Sequence, residues 1–291
     1  MRPPGGLVIT GWSVVSAAGI GAEPLAELFS HTPPASPRRE VADAFGEHLP
    51  ATSVPVLTDF DVRAHLGRKG TNTYDRATGL AVVAAGQALR DAGTVVDDST
   101  GPRVGVALGT TLGSLSSISD LNRVILTKPK PYLVNPALFP NTVMNSATAQ
   151  VAIRYGLRGV NSTIAGGTLA FHQALRYAAN AIDRGHADTM LVGAVEEFNA
   201  YRAWYAHRSA ATSTDPTGEG AAVFVVQRAA GPGRTAGPGR AAEPGRETAD
   251  GTAVDGGATV LGCATGFGHG DTAGRALPDC VRRLLRDCRV E

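Results

Sequence analysis

Residues 161–172 read Asn-Ser-Thr-Ile-Ala-Gly-Gly-Thr-Leu-Ala-Phe-His, and this stretch turns a short strand into a helix. Three small residues, Ala165-Gly166-Gly167, mark the turn, and apolar residues then recur at helical spacing until Gly185, a residue type common at helix ends. A second strand is predicted at residues 189–195, where a continuous apolar run is typical of a strand buried on both faces. This order of strand, helix and strand predicts a layered α/β unit.

The same alternation continues on both sides of this unit. The spacing of apolar residues predicts further strands at residues 7–15, 103–108 and 221–226, and helices at residues 24–30, 74–92 and 142–155. We therefore predict an α/β layered fold with a largely buried sheet over residues 1–229.

The composition changes abruptly after residue 229. Residues 230–257 contain three near-copies of a Pro-Gly-Arg unit together with further Gly, Ala and Thr. Such a segment cannot bury enough apolar surface to offset its ordering entropy, which predicts a flexible linker. One more strand (258–263) and one more helix (277–285) are predicted within residues 258–291.

Charge and cysteine content exclude several classes of protein. The 27 basic and 26 acidic side chains give a net charge of +1, without the basic stripe of a nucleic-acid-binding protein. Three cysteines, Cys263, Cys280 and Cys288, lack the spacing of a zinc site or a disulfide framework. No apolar run approaches the roughly 18 residues of a membrane span, and the N-terminus lacks the apolar core of a signal peptide. We expect a soluble, cytoplasmic protein that binds neither nucleic acid nor membrane.

Six short motifs, in a fixed order, resemble the β-ketoacyl synthase family of the thiolase fold. They are Gly109-Thr110 with Gly113, Pro140–Ser146, Gly156–Gly159, Arg184–Asp188, Gly193–Glu197 and Gly218–Ala222. The resemblance covers roughly residues 5–229, the first of the family's two pseudo-symmetric halves and the start of the second. It implies a thiolase-like layered fold whose first half is essentially complete and whose second half, within residues 258–291, is a truncated remnant.

The resemblance also locates the family's nucleophile, a cysteine at the turn from strand into long helix. Matching the small residues of the turn places Ile164 there, whereas counting back along the helix from Gly185 places Thr168 there. Neither is a cysteine, and a threonine hydroxyl is far less acidic than a thiol. Condensing members also use two histidines and a lysine from the second half, in segments that this sequence does not reach. The resemblance therefore implies a chain with no catalytic residue of its own.

Chain length factors, the inactive partners of ketosynthases in type II polyketide systems, share this arrangement, and the short factors of highly reducing, polyene-making systems share the length. The resemblance implies a heterodimer with a catalytic ketosynthase subunit, an acyl carrier protein with its acyl chain as second partner, and no cofactor or metal. It implies that the dimer interface contains the strand Gly159, Val160, Asn161, Ser162 and Thr163. It further implies that the acyl tunnel is bounded by Leu112, Leu115, Ile118, Phe139 and Met144.

Other interpretations of these residues remain open at this point. Thr168 with His172 could serve an independent acyltransferase or hydrolase, and the five tunnel residues could be ordinary core. A further hypothesis is a decayed gene fragment whose fold is never completed. Glu196 and Glu197 could form an acid/base pair, but adjacent residues of a strand point to opposite faces, which favours a structural role.

Overall fold

The computed structural model describes residues 6–30, 38–40, 49–50, 53–209, 218–229, 258–260, 278, 280–283 and 285–286. The strands in this part of the chain are β1 (Leu7–Ser16), β2 (Gly19–Ile20), β3 (Arg39–Glu40), β4 (Ser53–Val54), β5 (Val104–Thr110), β6 (Asn161–Ala165), β7 (Thr189–Glu196), β8 (Gly220–Arg228) and β9 (Thr259–Val260). The helices are α1 (Ala22–Ser30), α2 (Val62–Leu66), α3 (Arg76–Asp91), α4 (Leu115–Thr127), α5 (Ser146–Tyr155), α6 (Ala170–Asp183) and α7 (Ala200–Ser209). Short 3₁₀ turns lie at Gly101–Arg103, Pro136–Thr142 and Gly167–Leu169.

One mixed sheet organises the molecule. Its strand order is β2-β1-β8-β7-β5-β6, with β9 added to β1. Strand β5 runs parallel to both β6 and β7, whereas β7, β8 and β1 pair antiparallel. All seven residues of β5 are buried, as expected for a parallel strand covered on both faces. Among the described strands, β6 forms the end of the sheet beside β5.

Two layers of helix cover the sheet. On one face, α3 buries twelve of its sixteen residues, and α5 packs beside it against the same core. On the other face, α6 packs Ala174, Ala178 and Ile182 against Met190 and Val192 of β7. Alanine and glycine keep this packing close: a Cβ atom at Gly109 of β5 would lie 2.6 Å from the carbonyl carbon of Ala170. Any larger residue at 109 would displace the start of α6.

The structure confirms the predicted α/β fold and most of the predicted elements. Several details differ. Helix α5 begins at Ser146 rather than Thr142, because residues 136–142, which include two prolines, form a 3₁₀ turn first. The helices α2, α4 and α7 and the two-residue strands β2, β3 and β4 were not predicted. Helix α4 buries none of its residues. The linker at 230–257 lies outside the described residues.

Candidate functional site

The turn between β6 and α6 is built as the sequence predicts. Gly166 follows β6, Gly167 adopts a left-handed backbone conformation (φ 59°), and a 3₁₀ turn leads into α6. Ile164 pairs in register with Gly109 and packs half-buried against the core under α6. Thr168 is exposed within the 3₁₀ turn, and His172 is exposed on α6 with its ring 5.6 Å from that of Phe171. Residues 161–172 contain no cysteine.

Strand β6 is both accessible and firmly attached on its inner side. Its five residues are exposed or half-buried, in contrast to those of β5. The Thr163 hydroxyl lies 2.6 Å from that of Thr148 in α5, which ties the strand to the helix beneath it. Just before β6, the N–H of Gly159 donates to the carbonyl of Val104, and the N–H of Val106 donates to the carbonyl of Val160. The backbone is thus fixed on the β5 side along residues 159–165.

A segment of exposed apolar residues adjoins β6. Helix α4 packs against the 3₁₀ turn Pro136–Thr142, yet none of its thirteen residues is buried. Five of the exposed apolar side chains on these two elements and the loop after them form what we call the apolar patch: Ile118, Leu138, Phe139, Val143 and Met144. Val143 and Met144 line the same narrow cavity as Thr163 of β6, so that the patch is continuous with the strand.

The five predicted tunnel residues all lie at the surface of this region rather than in the core. Ile118, Phe139 and Met144 keep 38%, 60% and 40% of their surface exposed, and Leu112 and Leu115 are half-buried. The cavity beside them has a volume of about 10 Å³, enough for roughly one water molecule. Within the described residues, therefore, this chain does not by itself enclose an acyl chain at this place.

Two carboxylates at the end of β7 hold the segment that joins β5 to α4. Glu196 accepts from the N–H of Thr111 (2.6 Å) and from the Arg202 guanidinium (2.7 Å). Glu197 accepts from the N–H of Ser116 (3.1 Å) and its hydroxyl (3.0 Å). The two carboxylates thus have separate partners, and the arrangement favours a structural role over an acid/base pair.

Burial shapes the electrostatics of Glu197. The residue is 1% exposed, and this burial raises the pKa of its carboxyl, to which the nearby charge of Asp75 adds. Hydrogen bonds from Ser116 and from the backbone of Ala77 act in the opposite direction. Because Ala77 and Ser116 lie in the first turns of α3 and α4, the carboxylate faces the N-terminal ends of both helices.

A third carboxylate, Glu219, holds the first turn of α3. It forms two hydrogen bonds with the Arg76 guanidinium (2.6 and 2.5 Å) and accepts from the N–H of Leu57 (2.9 Å). Hydrogen bonding to Glu219 raises the pKa of Arg76. Sequence reasoning placed Glu219 in a motif but did not identify Arg76, whose only signal is its place after the N-cap residue Asp75.

The family is decided by comparison with known proteins. Residues 7–239 match the family model of the β-ketoacyl synthase N-terminal domain. The chain belongs to the β-ketoacyl synthase family. This confirms the family and the thiolase-like fold predicted from the six motifs.

Several members of the β-ketoacyl synthase family are similar to this chain, each over a different length. A solved chain of the ishigamide ketosynthase/chain length factor is 35% identical with a TM-score of 0.80, covering 99% of this chain and 74% of that one. A β-ketoacyl synthase from Burkholderia phymatum STM815 is 26% identical with a TM-score of 0.65, covering 77% of this chain and 59% of that one. The 3-oxoacyl-[acyl-carrier-protein] synthase 2 of Staphylococcus aureus (strain N315) is 29% identical over 184 residues, which are 60% of this chain and 44% of that protein. The chain thus matches less than half of the length of this Staphylococcus aureus protein.

The described residues offer little for other chemistry. Among them, no group of three or more His, Cys, Asp or Glu side chains could hold a metal ion. No helix in that part of the chain is long and apolar enough to cross a membrane.

Proposed function

We propose that this chain is a chain length factor, a β-ketoacyl synthase subunit without a nucleophile of its own. It forms a heterodimer with a catalytic ketosynthase and contributes one wall of the tunnel in which a polyketide, bound to an acyl carrier protein, is elongated. The observation that carries this proposal is a fully formed strand-to-helix turn with no thiol in residues 161–172.

The residues at the turn support a non-catalytic role. A thiol at a helix N-terminus is held as the reactive thiolate, which is how a cysteine in this position is activated. Isoleucine has no nucleophilic atom, and Ile164 packs against the core. Thr168 is accessible, but an unactivated hydroxyl is a poor nucleophile without a positioned base.

The surface around β6 supports the heterodimer. An edge strand with free backbone groups pairs readily with a strand of another chain. Here the accessible strand adjoins the apolar patch, and a contiguous apolar surface of this kind is typical of a protein–protein interface. We propose that residues 159–163 pair with the ketosynthase and that the apolar patch is buried in the complex.

The same surface supports the tunnel assignment. Leu112, Leu115, Ile118, Phe139 and Met144 remain our candidates for the wall that limits chain growth, since a single bulky apolar side chain can occlude several methylene groups. The cavity next to them is too small for an acyl chain, which is consistent with a tunnel completed by the partner.

The relatives support the reaction context. The similar solved chain of 35% identity is a ketosynthase/chain length factor, and the Staphylococcus aureus relative is a 3-oxoacyl-[acyl-carrier-protein] synthase. We infer from them that the substrate of the complex is an acyl chain carried on an acyl carrier protein.

Reconstitution tests this function. The chain is combined with a catalytic ketosynthase of the same organism, each candidate being tried in turn, and with an acyl carrier protein bearing starter and extender acyl groups. We expect elongated products only when both chains are present, and complete loss when the active-site cysteine of the partner is replaced by alanine. Elongation by the partner alone, with the same yield and product length, would contradict the proposal.

One alternative function is an independent acyltransferase or hydrolase that uses Thr168 as its nucleophile, since this side chain is exposed. Thr168→Ala separates the two functions. A chain length factor keeps full activity in the complex after this substitution, whereas a Thr168 enzyme loses all turnover. Ile164→Val is the matched control, because it alters the other possible nucleophile position with little change in packing.

A further inference from the structure

The segment that carries the proposed tunnel wall is held by side chains outside the wall itself. Residues 110–115 connect the buried strand β5 to α4, and two of the five candidate tunnel residues, Leu112 and Leu115, belong to this segment. Among the described residues, α4 contacts the 3₁₀ turn Pro136–Thr142 and α7 but buries none of its own residues in the core. The hydrogen bonds at its first turn therefore help to hold α4 in position.

Glu197 accepts most of these hydrogen bonds. The N–H and hydroxyl of Ser116 donate to Oε1 of Glu197 at 3.1 and 3.0 Å, and the hydroxyl of Ser114 lies 3.4 Å from the same atom. Asn199 donates to it from the loop after β7 at 2.8 Å. The backbone of Ala77, in the first turn of α3, lowers the pKa of the same carboxyl. One buried side chain thus connects the end of β7 to the first turn of α4.

Glu196 fixes the other end of the segment. Its carboxylate accepts from the N–H of Thr111, and Arg202 of α7 bridges the carboxylate and the Thr111 hydroxyl, the latter at 3.1 Å. Hydrogen bonds to charged groups are about twice as strong as neutral ones. The segment is consequently held at both ends by the rigid strand β7, with Leu112 between the two attachment points.

We propose that Glu197, assisted by Glu196, is a positioning residue that determines product length by fixing the β5–α4 segment and the start of α4 at the tunnel. This inference rests on the proposed function. Neither carboxylate is placed on the tunnel surface: each acts through the backbone that it holds. If that attachment is loosened, Leu112, Leu115 and Ile118 can shift. The growing acyl chain is then no longer blocked at a single position in the tunnel, and products of several lengths are released.

The test compares Glu197→Gln and Glu196→Gln with Glu219→Gln in the reconstituted complex. Glu219 is the matched control because it is an equally buried carboxylate that also anchors the first turn of α3, yet it forms no hydrogen bond with residues 110–127. We expect the Glu197 and Glu196 variants to lose the single dominant product length in favour of a mixture at similar total turnover. The Glu219 variant should keep the wild-type length even if its yield falls.

A second measurement keeps the inference testable if a variant folds poorly. Ser116→Ala removes one hydroxyl donor and leaves the carboxylate in place. We expect amide exchange at residues 114–118 of the complex to accelerate about tenfold in this variant, with a smaller shift in product length in the same direction. Exchange in α3 should be unchanged.

The outcomes separate the inference from the function on which it rests. If wild-type chain and ketosynthase form no complex, both are overturned. If the complex elongates normally and the Glu197 and Glu196 variants keep the wild-type product length, only the positioning role is overturned. A length change in Glu219→Gln as large as that in Glu197→Gln would also overturn it, since the effect would then reflect general destabilisation.

Discussion

The hydroxyl of Thr148 in α5 lies 2.6 Å from the hydroxyl of Thr163 in β6, and this contact fixes the edge strand against the helix beneath it. Thr148 is almost completely buried, whereas Thr163 is half-buried. The edge that we propose for partner pairing is therefore preorganised before any partner binds. Preorganisation lowers the ordering cost of association.

Thr148→Val should weaken both the chain and its complex. It removes the hydroxyl but keeps the shape of the side chain, and the lost hydrogen bond should lower the free energy of unfolding by about 1 kcal/mol. We also expect weaker binding to the ketosynthase, measured by titration. Thr127→Val is the control, because the Thr127 hydroxyl is exposed and bonds only within its own helix. An equal loss of partner affinity in both variants would show that the Thr148–Thr163 contact has no special role.

A charge in the apolar patch should prevent the heterodimer without unfolding the chain. Phe139 is 60% exposed, so Phe139→Asp changes little buried surface in the isolated chain but would bury an unpaired charge in the complex. We expect complex formation to be lost in co-purification. Val95→Asp is the matched control, since Val95 is 72% exposed in the loop after α3. Normal pairing by the Phe139 variant would place the interface elsewhere.

The pair formed by Arg76 and Glu219 should contribute more to stability than a surface pair. Glu219 is almost fully buried, and removing its partner leaves an uncompensated carboxylate. Arg76→Met should therefore lower the free energy of unfolding by about 3 kcal/mol, allowing for the partial exposure of Arg76. Arg103→Met, which breaks the exposed pair with Asp188, should cost much less, because solvent screens both charges. Urea unfolding of the two variants distinguishes these values, and equal costs would contradict the assignment.

The fold was predictable from the sequence because its patterns are local. Continuous apolar runs identify β5 and β7, and the glycines after β6 identify the turn. The position of α4 was not predictable. Its apolar residues have the spacing of a buried helix, yet none of them is buried by the part of the chain that the structure describes. The attachment of its first turn to Glu197 depends on a residue about eighty positions away, which local patterns do not reveal.

Glu197 should also make stability depend on pH. Its pKa is raised in the folded chain above the ordinary value of 4.5, so the folded state binds this proton more tightly than the unfolded state. Its contribution to the free energy of unfolding should thus be greatest at low pH and decline as the pH rises from about 4.5 through the raised pKa. Unfolding of wild type and Glu197→Gln, compared between roughly pH 5 and pH 8, isolates the effect. A difference that is constant, or that grows in favour of wild type as the pH rises, would contradict it.

The mass of the complex tests the central claim most directly. The chain is co-expressed with each catalytic ketosynthase of the same organism in turn and passed over a size-exclusion column with mass detection. We predict a stable 1:1 heterodimer, and poor solubility of this chain when it is expressed alone, because the edge of β6 and the apolar patch are then uncovered. If the chain instead runs as a folded, monodisperse species that does not bind the ketosynthase, the chain-length-factor function is wrong.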